Sequence, residues 1–222
     1  MFAFFDVDGT LLTLRSMVLF QDFYLRRQTP WPEGFGALRS KLFSARLARW
    51  ERRTPDRHVL NRTYYRTYRG RRPEVVRARA TEWFDFEKQQ RPELWIAPTV
   101  RVLEERKAQG YQPVLVSGSL HEILEPVARE LGVEHCLATR LTLRDGRYTG
   151  EIEGRQMIGQ GKAEAIREFL TTHGARSEEC FAYGDHITDR SMLEAVGHPV
   201  AVIGDPKLAQ LAQQRQWQCL TL

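Results

Sequence analysis

In the first ten residues, a short apolar run directly precedes two acidic residues. Of all the features of the sequence, this arrangement restricts the possible folds most. Residues 2–5 read Phe-Ala-Phe-Phe, and residues 6–10 read Asp-Val-Asp-Gly-Thr. A run that is apolar on both faces is typical of a buried parallel strand. The same pattern, an apolar run that ends in Gly and polar residues, recurs at residues 113–119, 180–185 and, more weakly, 200–205.

Segments with helical spacing separate these runs. They are residues 100–109, 122–131, 163–173 and 206–215. Alternation of strand and helix predicts an α/β fold with a doubly wound, Rossmann-like parallel sheet. Residues 141–144 and 148–152 flank Asp145-Gly146, a pair that suits a tight turn, so we expect a β-hairpin that projects as a small flap.

Residues 15–92 interrupt the alternation. They contain no convincing apolar strand, and residues 59–68 and 74–88 carry charged and aromatic residues at helical intervals. Residues 31–36 read as a loop between two helices. We therefore predict an inserted, all-helical cap. The predicted domains are a catalytic core of residues 1–14 and 93–222 and a cap of residues 15–92.

The charge is distributed unevenly along the 222 residues, whose formal net charge is +5. Residues 15–92 hold 19 Lys+Arg and 8 Asp+Glu, which gives +11, and the rest of the chain carries −6. The basic segment faces something anionic, or it is an arginine-rich surface in contact with water. A hydrophobic fraction of 42% with 27% charged residues excludes a disordered or membrane-spanning class.

The cysteines indicate the compartment. Cys136, Cys180 and Cys219 are odd in number and widely spaced, so neither a disulfide framework nor a zinc site is indicated. Asp6 and Asp8 interrupt the apolar start too early for a signal peptide or an anchor. We expect a cytoplasmic protein without a transmembrane segment.

Polar groups follow each predicted strand, at the edge where ligands bind in open α/β sheets. Asp6 and Asp8 are two residues apart, so in extended backbone both carboxylates point to the same side and can contact one ligand. Alternatively, the two residues only cap a backbone segment or form a turn. Ser117-Gly118-Ser119 suits a phosphate oxygen, although Ser119 could equally cap the next helix. Lys162 lies at a predicted helix start, where the helix dipole disfavours a cation. A nearby anion would compensate for this, unless Lys162 is an exposed surface lysine.

Asp185 and Asp189 complete the set after a further buried strand. Oxygen-rich acidic clusters suit Mg²⁺, which takes one or two protein carboxylates and keeps positions for water and phosphate. His186 lies between them, but one histidine without a second at ligand spacing does not indicate zinc. We expect His186 to line the pocket and to contribute to substrate choice.

Together these residues resemble the four motifs of the haloacid dehalogenase (HAD) superfamily, in the right order. Residues 6–10 resemble the first motif, Ser117-Gly118 the second, Lys162 the third, and Gly184-Asp185 through Asp189 the fourth. The place of the insertion, between the first two motifs, is similar to the C1 helical cap of subfamily IB, the phosphoserine-phosphatase-like branch. The resemblance implies a Mg²⁺-dependent phosphomonoester hydrolase that acts on a small phosphorylated metabolite.

The resemblance also implies a role for each motif residue. Asp6 is the nucleophile that forms an aspartyl-phosphate, and Asp8 is the acid and base. The Asp6 side chain, the Asp8 carbonyl and Asp185 hold the metal. The phosphate ligands are Ser117, Gly118 and Lys162, with Asp189 in support.

Substrate choice is expected to lie with the cap. Phosphoserine phosphatases of this family carry an acidic residue just past the first motif, whereas Arg15 stands at the nearby position here. Arg15 with Arg66 or Arg69 could meet a carboxylate, a second phosphate or a nucleotide, unless these arginines face solvent.

Two other functions stay open. One is a phosphotransferase or mutase of the same superfamily, which passes the phosphoryl group to an acceptor other than water. The other is a binding module whose basic cap docks on nucleic acid or an anionic membrane. The sequence leaves the oligomeric state and the physiological substrate undetermined.

Overall fold

The computed structural model describes residues 1–27 and 57–221, together with the helical positions 38, 41, 42, 45 and 49. The loop predicted at residues 31–36 lies outside the described residues.

The part of the chain that the structure describes contains eight strands. They are β1 (Phe2–Phe5), β2 (Gln112–Leu120), β3 (His135–Thr139), β4 (Leu141–Arg144), β5 (Arg147–Ile152), β6 (Phe181–Gly184), β7 (His198–Ile203) and β8 (Gln218–Thr221). Six of them form one parallel sheet in the order β3-β2-β1-β6-β7-β8, and β4 pairs with β5 in an antiparallel hairpin. The predicted doubly wound parallel sheet is confirmed.

Eight α-helices are described over the same ranges. They are α1 (Ser16–Arg27), α2 (Arg57–Arg66), α3 (Pro73–Gln90), α4 (Ala97–Ala108), α5 (His121–Glu130), α6 (Gln160–Thr172), α7 (Arg190–Leu193) and α8 (Pro206–Arg215). None of these described helices combines the length and the apolar character needed to cross a bilayer.

Strand β1 lies at the centre of the sheet. It pairs with β2 on one side and with β6 on the other, and the Asp6 N–H extends the second pairing by donating to the Tyr183 carbonyl at 2.9 Å. Alternate residues of β1 enter different apolar clusters, Phe5 on one face and Phe4 on the other. Because both faces are buried, the strand is a continuous apolar run, and the carboxyl ends of β1, β2 and β6 meet at one edge.

The described part of residues 15–92 contains the three helices α1, α2 and α3 and no strand, as predicted. Tyr24, Tyr65 and Trp83 of these helices are buried in the same apolar cluster as Leu115 and Ile123 of the sheet and α5. The insertion therefore shares one core with the sheet, and its division into a separate domain at residues 15 and 92 stays a prediction.

The hairpin of β4 and β5 forms at the expected place. Asp145 and Gly146 have φ values of 52° and 68°, the left-handed conformation that a type I′ turn requires. The hairpin does not project as a free flap, because Gly70 N–H donates to the Tyr148 carbonyl and Tyr148 N–H to the Arg71 carbonyl, at 2.8 and 2.9 Å. These bonds join it to the segment that follows α2.

Candidate functional site

The carboxyl edge of the sheet opens onto a cavity of about 410 Å³. Every motif residue to which the resemblance assigns a role lines it: Asp6, Asp8, Ser117, Gly118, Lys162, Asp185 and Asp189. These residues follow β1 and β6 or lie near the end of β2 and in the first turn of α6, so the topology of the sheet gathers residues that are up to 183 positions apart.

Lys162 joins two buried carboxylates at the base of this cavity. Its Nζ lies 2.5 Å from Asp6 Oδ1 and 2.7 Å from Asp189 Oδ1, and all three side chains are buried. Burial lowers the pKa of Lys162, but the charges of Asp189 and Asp6 outweigh this and raise it above its usual value. The lysine therefore stays protonated.

The place of Lys162 in α6 depends on the turn before it. The residue lies in the first turn, where the helix dipole disfavours a cation, and the two carboxylates compensate for this. A Cβ on Gly161 would lie 1.9 Å from the Gln156 carbonyl oxygen. Only glycine fits there. The glycine before Lys162 therefore allows the chain to begin the helix in this conformation.

Three carboxylates form an oxygen-only cluster. One oxygen each of Asp6, Asp185 and Asp189 lies within 4.8 Å of the others. Burial raises the pKa of Asp6 and of Asp185, and the neighbouring negative charges raise both further. A hard divalent cation would offset this repulsion, and carboxylate oxygens are the ligands that Mg²⁺ prefers. The sequence placed Asp189 in a supporting role, whereas its carboxylate lies within the cluster.

Gly9 allows Asp185 to enter this cluster. Its φ is +88°, and a Cβ there would lie 2.3 Å from Asp185 Oδ2. The Thr10 hydroxyl donates to Asp185 Oδ1 at 3.1 Å. The turn after β1 therefore both makes room for the Asp185 carboxylate and fixes its orientation.

The Asp8 carboxylate turns away from the cluster. Its Oδ2 accepts hydrogen bonds from the Ser16 N–H at 2.9 Å and the Ser16 hydroxyl at 3.0 Å. Its Oδ1 is buried and has no hydrogen-bond partner among the described residues. Burial raises the pKa of Asp8 to about 6, against the lowering effect of Ser16. Sequence reasoning missed Ser16, although a serine at a helix start is a common signal for such contacts.

The end of β2 presents Ser117 and Gly118 to the cavity. The Ser119 N–H donates to Ser117 Oγ at 3.1 Å, so the Ser117 hydroxyl proton remains available to a ligand. The Gly118 carbonyl accepts from the hydroxyls of Tyr65 and Thr139, the latter at 2.9 Å. Ser119 does not cap the next helix, because the N-cap of α5 is Leu120.

The four residues predicted for substrate choice separate into two pairs. Arg15 and His186 line the cavity. Arg66 and Arg69 instead contact the hairpin: Arg66 pairs with Glu151 at 3.4 Å, and Arg69 Nε donates to the Thr149 carbonyl at 2.9 Å. The structure does not bring the second pair to the site, because α2, which ends at Arg66, packs against β5, and Arg69 lies in the turn that follows α2.

A comparison with protein families gives a match over most of the chain. The model described as haloacid dehalogenase-like hydrolase matches residues 3–194.

Two further comparisons concern individual proteins. A probable phosphatase of Mycobacterium tuberculosis (strain ATCC 25618 / H37Rv) is 44% identical over 128 residues, which are 58% of this chain and 44% of that protein. The chain thus spans less than half the length of the curated relatives that it matches at 42–44% identity. A solved structure of a protein of unknown function from Bordetella pertussis Tohama I has a TM-score of 0.82 at 29% identity and covers 99% of this chain and 97% of that chain.

A substrate-bound phosphoserine phosphatase structure is similar in fold. Its TM-score is 0.65 at 18% identity, over 99% of this chain and 91% of that chain.

Proposed function

The chain belongs to the haloacid dehalogenase-like hydrolase family, and from this premise we propose that it is a Mg²⁺-dependent phosphomonoester hydrolase acting on a small phosphorylated metabolite in the cytoplasm. One observation carries the proposal. The same cavity holds Asp6, a carboxylate bound to a buried lysine, and Asp8, a second carboxylate with a buried oxygen to which no described residue donates. A nucleophile and a separate acid are the two groups that covalent phosphoryl transfer needs.

The residues at the carboxyl edge fit a magnesium ion. The carboxylates of Asp6 and Asp185 would hold it with the Asp8 carbonyl, and Asp189 adds a further carboxylate oxygen to the cluster. When bound, the ion would neutralise charge on the phosphoryl oxygens and on the crowded carboxylates.

In the first half of the proposed reaction, Asp6 attacks the phosphorus atom. An Asp6 carboxylate oxygen forms a bond to phosphorus, the bond between phosphorus and the leaving oxygen breaks, and Asp8 gives that oxygen a proton. In the second half, Asp8 takes a proton from water as the water oxygen attacks phosphorus. The bond to Asp6 then breaks, inorganic phosphate leaves, and both carboxylates return to their starting states.

The remaining motif residues position the phosphoryl group. The Lys162 ammonium, the Ser117 hydroxyl and the Gly118 N–H would each contact a phosphoryl oxygen, while Asp189 orients Lys162 through its 2.7 Å contact. Positioning and neutralisation of this kind supply most of the rate enhancement in phosphoryl transfer.

The proposal is tested by phosphate release from a panel of phosphorylated metabolites with Mg²⁺, using the wild type, Asp6→Asn and a matched control, Asp145→Asn. Asp145 lies exposed in the hairpin turn, and asparagine tolerates its positive φ. We expect the wild type and the control to release phosphate and Asp6→Asn to fall at least about 10³-fold. Near-normal release by folded Asp6→Asn would exclude Asp6 as nucleophile, and no hydrolysis of any ester by the wild type would contradict the phosphatase proposal itself.

A further inference from the structure

Helix α2 carries an amide into the cavity at a position that the sequence analysis did not select. Asn61 lines the cavity and is half-buried. Its Nδ2 lies 3.9 Å from the point where a Cβ on Gly118 would stand. None of the residues that the structure describes hydrogen-bonds to the Asn61 side chain. A polar group in this position remains available to a ligand.

The surroundings of Asn61 indicate which chemical group it would meet. The Met157 carbonyl oxygen lies 3.3 Å from the same Cβ point on Gly118, and the Ile158 side chain lies 3.8 Å from it. A donor, an acceptor and an apolar wall therefore border one end of the cavity, beside the residue proposed to hold phosphate. A hydroxyl group can accept from the Asn61 amide N–H and donate to the Met157 carbonyl at the same time, whereas an apolar chain can do neither.

Tyr65 fixes the place of Asn61. The two residues are four apart in sequence, so they lie on the same side of α2, one turn from each other. The Tyr65 side chain is fully buried, and its hydroxyl donates to the Gly118 carbonyl. This bond ties the helix to the end of β2. Thr139 donates to the same carbonyl at 2.9 Å, so the strand end keeps one support when the Tyr65 hydroxyl is removed.

We propose that Asn61 is a specificity-determining residue that hydrogen-bonds a hydroxyl group of the leaving group, and that Tyr65 is the positioning residue that holds Asn61 over Gly118. This inference rests on the proposed phosphatase function. It defines the preferred substrates as phosphomonoesters that carry a hydroxyl group a few atoms from the phosphate, in preference to esters with an apolar chain. A small number of precisely placed polar groups usually decides the orientation of a ligand in its site.

Two esters test the inference. sn-Glycerol 3-phosphate and n-propyl phosphate share a three-carbon chain and differ in two hydroxyl groups, so the ratio of their kcat/KM values measures recognition of the hydroxyls. We expect the wild type with Mg²⁺ to prefer the glycerol ester. Asn61→Leu, which has a similar shape, should lower kcat/KM for that ester about threefold to tenfold and leave the propyl ester within about twofold, the effect of one neutral hydrogen bond.

Matched controls separate recognition from a general loss of structure. Arg62→Gln changes the exposed neighbour of Asn61 and should leave the ratio unchanged. Tyr65→Phe should lower the ratio towards that of Asn61→Leu. Tyr68→Phe should leave the ratio unchanged, although it also removes a buried hydroxyl, because that hydroxyl bonds to Tyr64 rather than to the strand. A fall in both kcat/KM values with an unchanged ratio would overturn the assignment.

The double variant Asn61→Leu/Tyr65→Phe tests whether Tyr65 acts through Asn61. If it does, the double variant has the same ratio as Asn61→Leu alone, since the contact can be lost only once. Multiplying effects would overturn the positioning role. A wild type that hydrolyses both esters equally would overturn the inference about Asn61 but leave the phosphatase proposal standing, whereas no hydrolysis of either ester or of the wider panel would contradict that proposal and the inference with it.

Discussion

The Lys162 ammonium lies 2.5 Å from the Asp6 carboxylate, although 156 residues separate the two in sequence. The contact exists because β1 ends, and α6 begins, at the same edge of the sheet. Both side chains are more than nine-tenths buried, and Asp189 lies on the other side of the ammonium at 2.7 Å. One cation thus offsets two buried anions.

Removal of this cation should destabilise the fold. In metal-free buffer at neutral pH, we expect Lys162→Met to lower the free energy of unfolding by about 3–5 kcal/mol, because it leaves two buried carboxylates without their partner. Lys207→Met is the control, since Lys207 also lies in the first turn of a helix but is exposed, and it should change the value by less than about 0.5 kcal/mol. Urea denaturation measures both. Equal stability of the two variants would show that the buried pair contributes little.

Asp8 should matter most for esters with poor leaving groups. We expect Asp8→Asn to slow hydrolysis of n-propyl phosphate by about 10²–10⁴-fold, because the alkoxide then leaves without a proton. With p-nitrophenyl phosphate, whose leaving group needs no proton, the variant should show a rapid stoichiometric burst of p-nitrophenol and then slow turnover, since water attack still lacks its base. Stopped-flow absorbance detects the burst. Equal slowing of both esters, with no burst, would argue against Asp8 as the acid.

The core of the sheet and the motif residues could be predicted from the sequence, because local patterns determine both. Strands β1, β2 and β6 are buried apolar runs. Because they are parallel neighbours, the polar residues that follow them meet at one edge of the sheet, whatever path the intervening chain takes. Strands β3 and β8 were not predicted. They lie at the two edges of the sheet, are largely half-buried or exposed, and therefore lack a continuous apolar run.

The contacts made by the inserted helices could not be predicted in the same way. Ser16 and Tyr65 reach the site because α1 and α2 pack over the sheet edge, a non-local arrangement that periodicity does not reveal. Arg66 and Arg69 were expected at the site on composition alone. The end of α2 and the turn after it direct them towards the hairpin. Neither the charge nor the spacing of the residues indicates which side of α2 faces the cavity.

Gly9 should be irreplaceable for metal binding. We expect Gly9→Ala to weaken Mg²⁺ binding at least about tenfold, because the added Cβ would displace the Asp185 carboxylate, and loss of such orientation commonly costs this much affinity. Gly174→Ala is the control: its φ is +59°, but no atom of the described residues lies within 4 Å of the added Cβ. It carries the backbone strain without the collision. Isothermal titration with Mg²⁺ measures the affinity, and similar affinities for both variants would contradict the role of Gly9.

His121 should make the stability depend on pH in the mildly acidic range. Burial, and then the charge of Arg140, lower the pKa of His121 against the opposite effect of Glu122 and Glu125, and its Nδ1 is buried without a hydrogen-bond partner among the described residues. In the unfolded chain the histidine titrates near its usual pKa of about 6.5. As the pH falls below that value, the unfolded chain takes up a proton that the folded protein does not, so the folded state loses stability.

The stabilising contribution of neutral His121 is therefore fully present above the unfolded pKa and disappears as the pH falls through the window down to the folded pKa. Between about pH 7.5 and pH 5.5, we expect the free energy of unfolding of the wild type to decrease relative to that of His121→Gln, because glutamine takes up no proton. The buried carboxyls, whose raised pKa values act in the opposite direction, are common to both proteins and cancel in the difference. Urea denaturation of both proteins at the two pH values gives the comparison, and the difference at pH 7.5 corrects for packing. An equal or larger drop in His121→Gln would assign the pH dependence to other groups.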